Sequence, residues 1–204
     1  MEQRVIAYID GFNLYFGLRS KGWKRYYWLN IQALIQNLLK PGQKLLCTKY
    51  FTSRIKEPQD KVKRQNTFLE ALGTLPDLAI FYGKYQLNRR ICRQCGFEDW
   101  VPNEKMSDVN IATELLVDAF RDRFDTALLL SADGDLKAPV TAILREFPAK
   151  RVVVVFPPAR HSIELANVAT ASFTVGRANL ERSLFPPEVR KPDGFILRCP
   201  QEWK

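Results

Sequence analysis

The sequence predicts an α/β fold in which helices cover both faces of a central parallel sheet. Strand and helix patterns alternate along the chain, and the strands are continuous apolar runs, as is typical of strands buried on both faces. The 204 residues, 46% hydrophobic and 26% charged, have the composition of a globular protein and about the length of one domain. We therefore expect one domain over residues 1–184 and an extended tail over residues 185–204.

The predicted strands are apolar runs, several of which are followed at once by turn-forming or small polar residues. They are Arg4–Ile9, Leu45–Thr52, Leu78–Tyr85, Thr126–Leu130 and Arg151–Phe156. The predicted helices carry apolar residues at helical spacing and begin at capping residues or at proline. They start at Asn30 and Pro58 and span Asp108–Phe120 and Leu136–Phe147.

Two segments interrupt this alternation. Residues 88–103 contain Cys92-x-x-Cys95-Gly96 and are expected to leave the third strand as a hairpin or knuckle. Residues 185–204 are rich in proline and are expected to be ordered only where Phe195–Leu197 and Trp203 meet a groove.

Composition excludes several classes of protein. The single histidine, His161, is too few for a multi-histidine zinc hydrolase or a histidine relay. No apolar run reaches the roughly 18 residues of a membrane span, and the run after Met1 is too short for a signal peptide. We therefore expect a cytoplasmic protein that does not enter membranes, with its four cysteines reduced.

Basic residues are concentrated in the first half of the chain. Residues 1–102 contain 17 Lys and Arg and 8 Asp and Glu, whereas residues 103–204 contain 14 of each, so the first half supplies the whole net charge of +9. Aromatic residues at 23–28 adjoin one basic cluster, a combination that favours single-stranded nucleic acid. The alternative is a solvated basic surface over core aromatics.

Acidic residues follow two of the predicted strands. Asp10 ends the first strand, Asp133 and Asp135 follow the fourth, and Asp108 begins a helix. Ligands bind beyond the carboxyl ends of such strands, so these acids should converge if the first and fourth strands are neighbours. Carboxylates so close together repel one another and need a cation to neutralise them. Oxygen ligands favour magnesium or manganese, and such an ion can activate a water molecule for phosphodiester hydrolysis. The alternative is that Asp10 and Asp135 serve as turn and helix-cap residues.

Three motifs in order resemble the signatures of NYN domains, a branch of the PIN-like nucleases, over about residues 4–175. They are Ile9-Asp10-Gly11-Phe12-Asn13, Glu104-Lys105-Met106-Ser107-Asp108-Val109 and Leu130-Ser131-Ala132-Asp133-Gly134-Asp135-Leu136. The resemblance implies a PIN-like, Rossmann-like α/β fold and, where activity occurs, metal-dependent cleavage of RNA.

The resemblance also implies roles for single residues. Asp10, Asp108 and Asp133 match the metal-binding acids, and Asp135 matches a further acid of the catalytic group. Asn13 matches the asparagine that orients Asp10 or contacts a phosphate, and Ser131 and Lys105 match substrate-binding positions. Relatives often carry a second acid on the central helix, for which Glu114 is the nearest candidate. Asp118 is expected on a solvated face.

Cys92 and Cys95 form half of a zinc site. A complete site needs two further ligands, and only Cys47, Cys199 and His161 offer soft donors. Zinc would then brace the excursion at 88–103, and the alternative is a turn with free thiols.

These observations predict a metal-dependent ribonuclease that uses magnesium or manganese, with RNA as its partner. Two alternatives stay open: a non-catalytic RNA-binding or adaptor module on the same fold, and a nuclease that acts on DNA. A homodimer is compatible with a compact nuclease, although the sequence has no dedicated interface motif.

Overall fold

The structure, a computed structural model, describes residues 2–91 and 93–204, and for residues 87, 88 and 100–104 it describes the backbone alone. The strands are β1 (Gln3–Asp10), β2 (Gln43–Thr52), β3 (Leu78–Tyr82), β4 (Lys84–Ile91), β5 (Glu98–Lys105), β6 (Thr126–Leu130), β7 (Arg151–Phe156), β8 (Ala171–Thr174), β9 (Glu188–Arg190) and β10 (Ile196–Arg198). The α-helices are α1 (Gly11–Ser20), α2 (Ile31–Leu38), α3 (Gln59–Leu72), α4 (Ser107–Phe120), α5 (Lys137–Glu146), α6 (Ile163–Val168) and α7 (Arg177–Glu181). Short 3-10 helices cover Lys24–Tyr27, Gly134–Leu136 and Gln201–Trp203.

A six-stranded sheet in the order β3-β2-β1-β6-β7-β8 forms the centre of the molecule. All of its strand pairs are parallel, so the carboxyl ends of the strands form one edge, which we call the carboxyl edge. The chain adds β2 and β3 on one side of β1 and adds β6, β7 and β8 on the other side. The predicted parallel α/β fold and the pairing of the first and fourth predicted strands are therefore confirmed.

Alternate residues of the central strands enter two hydrophobic cores, one on each face of the sheet. Val5, Ala7 and Ile9 of β1 pack with α1, α2, α3 and the C-terminal segment. Ile6 and Tyr8 pack on the other face with α4, α5 and α6. This alternation fixes which side chain of β1 points to which layer.

The C-terminal segment is folded, and its prediction as an extended tail is corrected. β9 and β10 form an antiparallel pair, and Trp203 packs its ring against Tyr27, Trp28 and Phe68. Leu197 is buried, whereas Phe195 is 61% exposed. The segment is ordered because apolar side chains cover the aromatic side of the first core, which a proline-rich composition does not reveal.

The excursion at residues 88–103 belongs to a hairpin. β4 and β5 pair antiparallel from Lys84 opposite Lys105 to Ile91 opposite Glu98. None of the helices among the described residues has the length and apolar character that a membrane span requires.

Candidate nuclease site at the carboxyl edge

Asp10 and the loop after β6 lie side by side at the carboxyl edge. β1 and β6 are hydrogen-bonded neighbours, with Ile9 opposite Leu130. Asp10 therefore reaches the edge next to Ser131 and Asp133. This is the switch point of the sheet, where an open α/β fold leaves a crevice.

The Asp10 side chain is 3% exposed and is held by three donors. Its Oδ1 accepts the backbone N–H of Asn13 at 2.9 Å, and its Oδ2 accepts the Asn13 side-chain amide at 2.7 Å. The Ser131 hydroxyl donates to Oδ2 at 3.0 Å. Burial raises the pKa of Asp10, and nearby Asp133 raises it further, against the lowering effect of these hydrogen bonds. A buried carboxylate with a negative neighbour is a group that a cation would stabilise.

Asp10 also caps α1, because its Oδ1 accepts the Asn13 N–H, a donor of the first helical turn that has no partner within the helix. The alternative interpretation, that Asp10 is a helix-cap residue, is therefore correct as far as its backbone contact is concerned. It leaves Oδ1 with one hydrogen bond and does not by itself fill the coordination sites of the carboxylate.

Gly11 allows β2 to approach this capped turn. A Cβ at position 11 would lie 2.6 Å from the Tyr50 ring and 2.8 Å from the carbonyl oxygen of Phe51. The motif Asp10-Gly11 therefore starts a helix against the end of β2, whereas the sequence pattern indicates only a turn there.

Ser131 links the two strand ends. Its side chain is fully buried, and while its hydroxyl donates to Asp10 it accepts the backbone N–H of Asp133 at 3.0 Å. Asp133 Oδ1 in turn accepts the backbone N–H of Asp135 at 3.0 Å and caps the 3-10 helix Gly134–Leu136. The contacts of Ser131 are thus to the acidic loop, and its predicted contact with substrate stays a prediction.

Asn13 joins Asp10 to a cation that sequence reasoning missed. While its amide nitrogen holds Asp10, its Oδ1 accepts the Arg160 guanidinium at 3.2 Å and Ala132 N–H at 3.4 Å. Arg160 follows β7 and so obeys the same rule that singled out Asp10 and Asp133. A pattern restricted to acidic residues after strands does not include this arginine.

α4 brings Asp108 to the same side of the molecule. Asp108 lies in the first turn of α4 and is half-buried, and α4 packs on β1, β2 and the segment 134–136. The Asn110 amide reaches the carbonyl oxygen of Tyr82, at the end of β3. Among the side chains that the structure describes, however, no group of three or more His, Cys, Asp or Glu is arranged to hold a metal ion. The geometry thus pairs Asp10 with Asp133, and the third acid stays a prediction.

Glu114 and Asp118 belong to a buried charge network beneath the site. The network consists of Tyr8, Lys49, Glu114, Asp118 and Arg123. Lys49 Nζ donates to Glu114 Oε2 at 2.6 Å and also to Asp118 Oδ2, which accepts the Tyr8 hydroxyl at 2.6 Å. Burial and this bond to Asp118 raise the pKa of Tyr8.

The prediction that Asp118 faces solvent is therefore wrong, because its side chain is 0% exposed. The buried cation that makes this burial tolerable is Lys49, in the middle of an apolar strand. The network ties α4, and with it Asp108, to β1 and β2.

Exposed lysines lie on segments next to α4 and to the acidic loop in the chain. Lys105 is exposed and lies opposite Lys84, also exposed, at the base of the β4–β5 hairpin. Lys137 begins α5 immediately after the acidic loop and is exposed. A negative pocket within a positive rim suits a phosphate chain that meets a cation at its centre.

The proposed zinc ligands lie in several different parts of the fold. Cys92 is outside the described residues, and Cys95 is exposed in the turn of the hairpin. Cys199 is buried in the first core, and the His161 ring packs against Phe156 at a tilt, with ring centroids 4.3 Å apart. Zinc at the cysteine pair stays a prediction.

The chain is an α/β protein with a parallel sheet, a buried aspartate at the switch point of the sheet and a second acid in the loop after the neighbouring strand. This arrangement fits the PIN-like, nuclease-like fold of the NYN domain. The family model of the NYN domain matches residues 4–176. The chain therefore belongs to the NYN domain family, as its three motifs predict.

Several known proteins are similar to the chain, among them a curated relative and a solved structure. The 6-hydroxy-3-succinoylpyridine 3-monooxygenase HspA of Pseudomonas putida is 30% identical over 191 residues, which cover 76% of this chain. The match spans 59% of that relative's length. A crystal structure of a protein of unknown function from Vibrio parahaemolyticus shares the fold, with a TM-score of 0.57, 19% identity, and coverage of 90% of this chain and 97% of the other.

Proposed function

We propose that the protein is a metal-dependent endoribonuclease whose site is the pair Asp10 and Asp133. The observation that carries the proposal is the buried Asp10 carboxylate: the Ser131 hydroxyl that donates to it also accepts the backbone N–H of Asp133, and the nearby charge of Asp133 raises the pKa of Asp10. Membership of the NYN family supports a hydrolase of this kind.

The donor set suits a hard divalent cation. Asp10 and Asp133 offer carboxylate oxygens, and Asp108, on the first turn of α4, is the proposed third ligand. Such oxygens favour Mg²⁺ or Mn²⁺ over zinc. When bound, the ion would polarise a phosphoryl oxygen and lower the pKa of a water.

The remaining residues of the proposed site orient Asp10 or bind the RNA. Asn13 and Ser131 fix the orientation of Asp10 through hydrogen bonds of 2.7–3.0 Å. Arg160, held at Asn13 Oδ1, is placed to contact a phosphate beside the acids. Lys105 and Lys137 supply longer-range attraction for RNA.

The test is cleavage of a mixed RNA ladder in Mn²⁺, in chelator, and by the Asp133→Asn protein, all purified free of host nucleases. We expect cleavage in Mn²⁺ alone, and RNA binding by Asp133→Asn that equals or exceeds that of the wild type. Asp193→Asn, the same change in the exposed turn between β9 and β10, is the control and should cleave normally. Cleavage that survives Asp133→Asn would remove Asp133 from the mechanism, and binding without any cleavage would favour the RNA-binding module. Matched DNA oligonucleotides test the remaining alternative.

The identity with HspA favours a second candidate, hydroxylation of a carboxylated hydroxypyridine. That relative's name states such an oxygenation, and this chain spans only part of it. The experiment is incubation with 6-hydroxy-3-succinoylpyridine, oxygen and NADH as a two-electron reductant, followed by mass spectrometry for an oxygenated product, both with the succinoyl chain retained and with that chain released from carbon 3. Product formation that Asp133→Asn retains would favour the oxygenase and would separate it from the acidic site.

A further inference from the structure

An arginine and an aromatic ring form a pair on one side of the acidic site. The Arg160 guanidinium lies 5.9 Å from the centroid of the Phe16 ring while donating to Asn13 Oδ1 at 3.2 Å. Phe16 stacks on Phe12 with centroids 6.1 Å apart, and it is 39% exposed. The pair therefore connects the residue that orients Asp10 to an open aromatic face.

A second such pair lies on the other side of the site. The Arg54 guanidinium sits 4.7 Å from the centroid of the Tyr82 ring and donates to the Tyr82 hydroxyl at 3.1 Å. It also donates to Asn66 Oδ1 at 3.0 Å, which fixes it from below. Tyr82 is 42% exposed.

The loop that carries Arg54 is itself held in place. Gln65 of α3 accepts the backbone N–H of Ile55 at 3.0 Å and donates to the carbonyl oxygen of Ser53 at 2.9 Å. Arg54 is thus fixed at both its backbone and its guanidinium before any ligand arrives, which lowers the entropy lost on binding.

The sheet order places the two pairs on either side of the acids. The first pair lies at the ends of β2 and β3, since Arg54 follows β2 and Tyr82 ends β3. The acids lie at the next two strands, since Asp10 ends β1 and Asp133 follows β6. In the second pair, Arg160 follows β7. Tyr82 ends β3, two strands from β1, and the Arg160 guanidinium reaches Asn13 in the first turn of α1, directly after β1, so the ends of neighbouring strands separate the two pairs. An extended strand of RNA could cross this part of the carboxyl edge.

We propose that Arg54–Tyr82 and Arg160–Phe16 are two base-stacking positions that hold single-stranded RNA across the carboxyl edge. Every base has a flat face that stacks on an aromatic ring or a guanidinium plane, and the arginines also attract phosphates. In a duplex these faces are covered, so the two pairs select unpaired strands. The proposal rests on the proposed function for the position of the phosphate between them.

The test measures binding in chelator, so that it does not depend on cleavage. A fluorescently labelled oligouridine, the same strand with abasic sugars, and the matched RNA duplex are titrated at fixed salt with the 204-residue chain. We expect Phe16→Ala and Tyr82→Ala each to weaken binding of oligouridine by about tenfold, the loss of one stacked base. Binding of the abasic strand and of the duplex should change little. Phe16→Trp and Tyr82→Trp, which keep a stacking ring, should restore oligouridine binding.

Lys191 and Phe195 provide a matched control. They also form a cation over a ring, at 5.6 Å, but in the C-terminal hairpin, and Phe195→Ala should bind all three ligands as the wild type does. The proposal is overturned if Phe16→Ala and Tyr82→Ala bind oligouridine as the wild type does, or lose oligouridine and abasic strand equally. If the variants lose oligouridine binding as expected but the protein cleaves no RNA, the stacking proposal is supported and the proposed nuclease activity is rejected.

Discussion

The Ser131 hydroxyl lies 3.0 Å from Asp10 Oδ2, although the two residues are 121 positions apart in the chain. The same hydroxyl accepts the Asp133 backbone N–H. One buried group thereby sets the relative position of two strand ends and of the two acids that they carry.

Ser131→Ala should lower the free energy of unfolding by about 1–3 kcal/mol, because it removes a donor from a buried carboxylate and an acceptor from Asp133 N–H. Urea denaturation measures this change. Ser20→Ala is the control, since the Ser20 hydroxyl bonds the carbonyl oxygen of Phe16 at an exposed helix end, and it should change stability by less than about 0.5 kcal/mol. Equal stability of Ser131→Ala and the wild type would contradict the linking role of Ser131.

Gly11→Ala should destabilise the protein by about 1–3 kcal/mol. The added methyl group would meet the Tyr50 ring and the Phe51 carbonyl at under 3 Å, so that β2 or α1 must shift. Gly176→Ala is the matched control, because a Cβ there meets nothing within 4 Å. Thermal unfolding of the two variants compares them directly, and a similar effect in both would show that position 11 is not crowded.

Lys49→Met should lower the free energy of unfolding by about 3–5 kcal/mol, because it leaves the fully buried Asp118 without its lysine. The double variant Lys49→Met/Asp118→Leu should recover part of the loss, since it leaves no unpaired charge at position 118. Lys44→Met, on the exposed part of the same strand, should be close to wild type in urea denaturation. A Lys49→Met protein as stable as the wild type would mean that Arg123 and Tyr8 alone satisfy Asp118.

Stability should fall in acid partly through Asp122 and Asp125. Hydrogen bonds from Lys150 and Arg4 lower the pKa of Asp122, and those from Arg4 lower the pKa of Asp125. A lowered folded-state pKa stabilises the fold above the unfolded value, near 3.9, and this contribution is lost as pH falls through the folded-state value. The variant Asp122→Asn/Asp125→Asn should therefore lose less stability than the wild type between about pH 5 and pH 2, as followed by urea denaturation at each pH. Parallel curves for the two proteins would contradict the assignment.

The sheet and its switch point could be predicted because both depend on local patterns. The apolar runs ending at Ile9 and Leu130 identify buried strands, and strand neighbours follow from the topology that such runs usually adopt. Asp10 and Asp133 come together for that reason. Asp108 begins a helix as predicted, but the orientation of its carboxylate depends on how α4 packs, which no local pattern encodes.

The missed features depend on distant contacts. α1 follows Asp10 without a break, and its start depends on Gly11 meeting β2. Lys49 is a charge within a strand that only Asp118, 69 positions away, makes tolerable. The C-terminal segment folds because Trp203 finds a surface built by residues near positions 27 and 68.

Lys84 and Lys105 face each other at the base of the β4–β5 hairpin, so the polypeptide leaves and re-enters the domain at a single point. A hairpin attached in this way can be shortened, lengthened or exchanged while β3 and α4 keep their places. A change in the length of the hairpin is therefore expected to leave the framework that carries Asp10 and Asp133 in place.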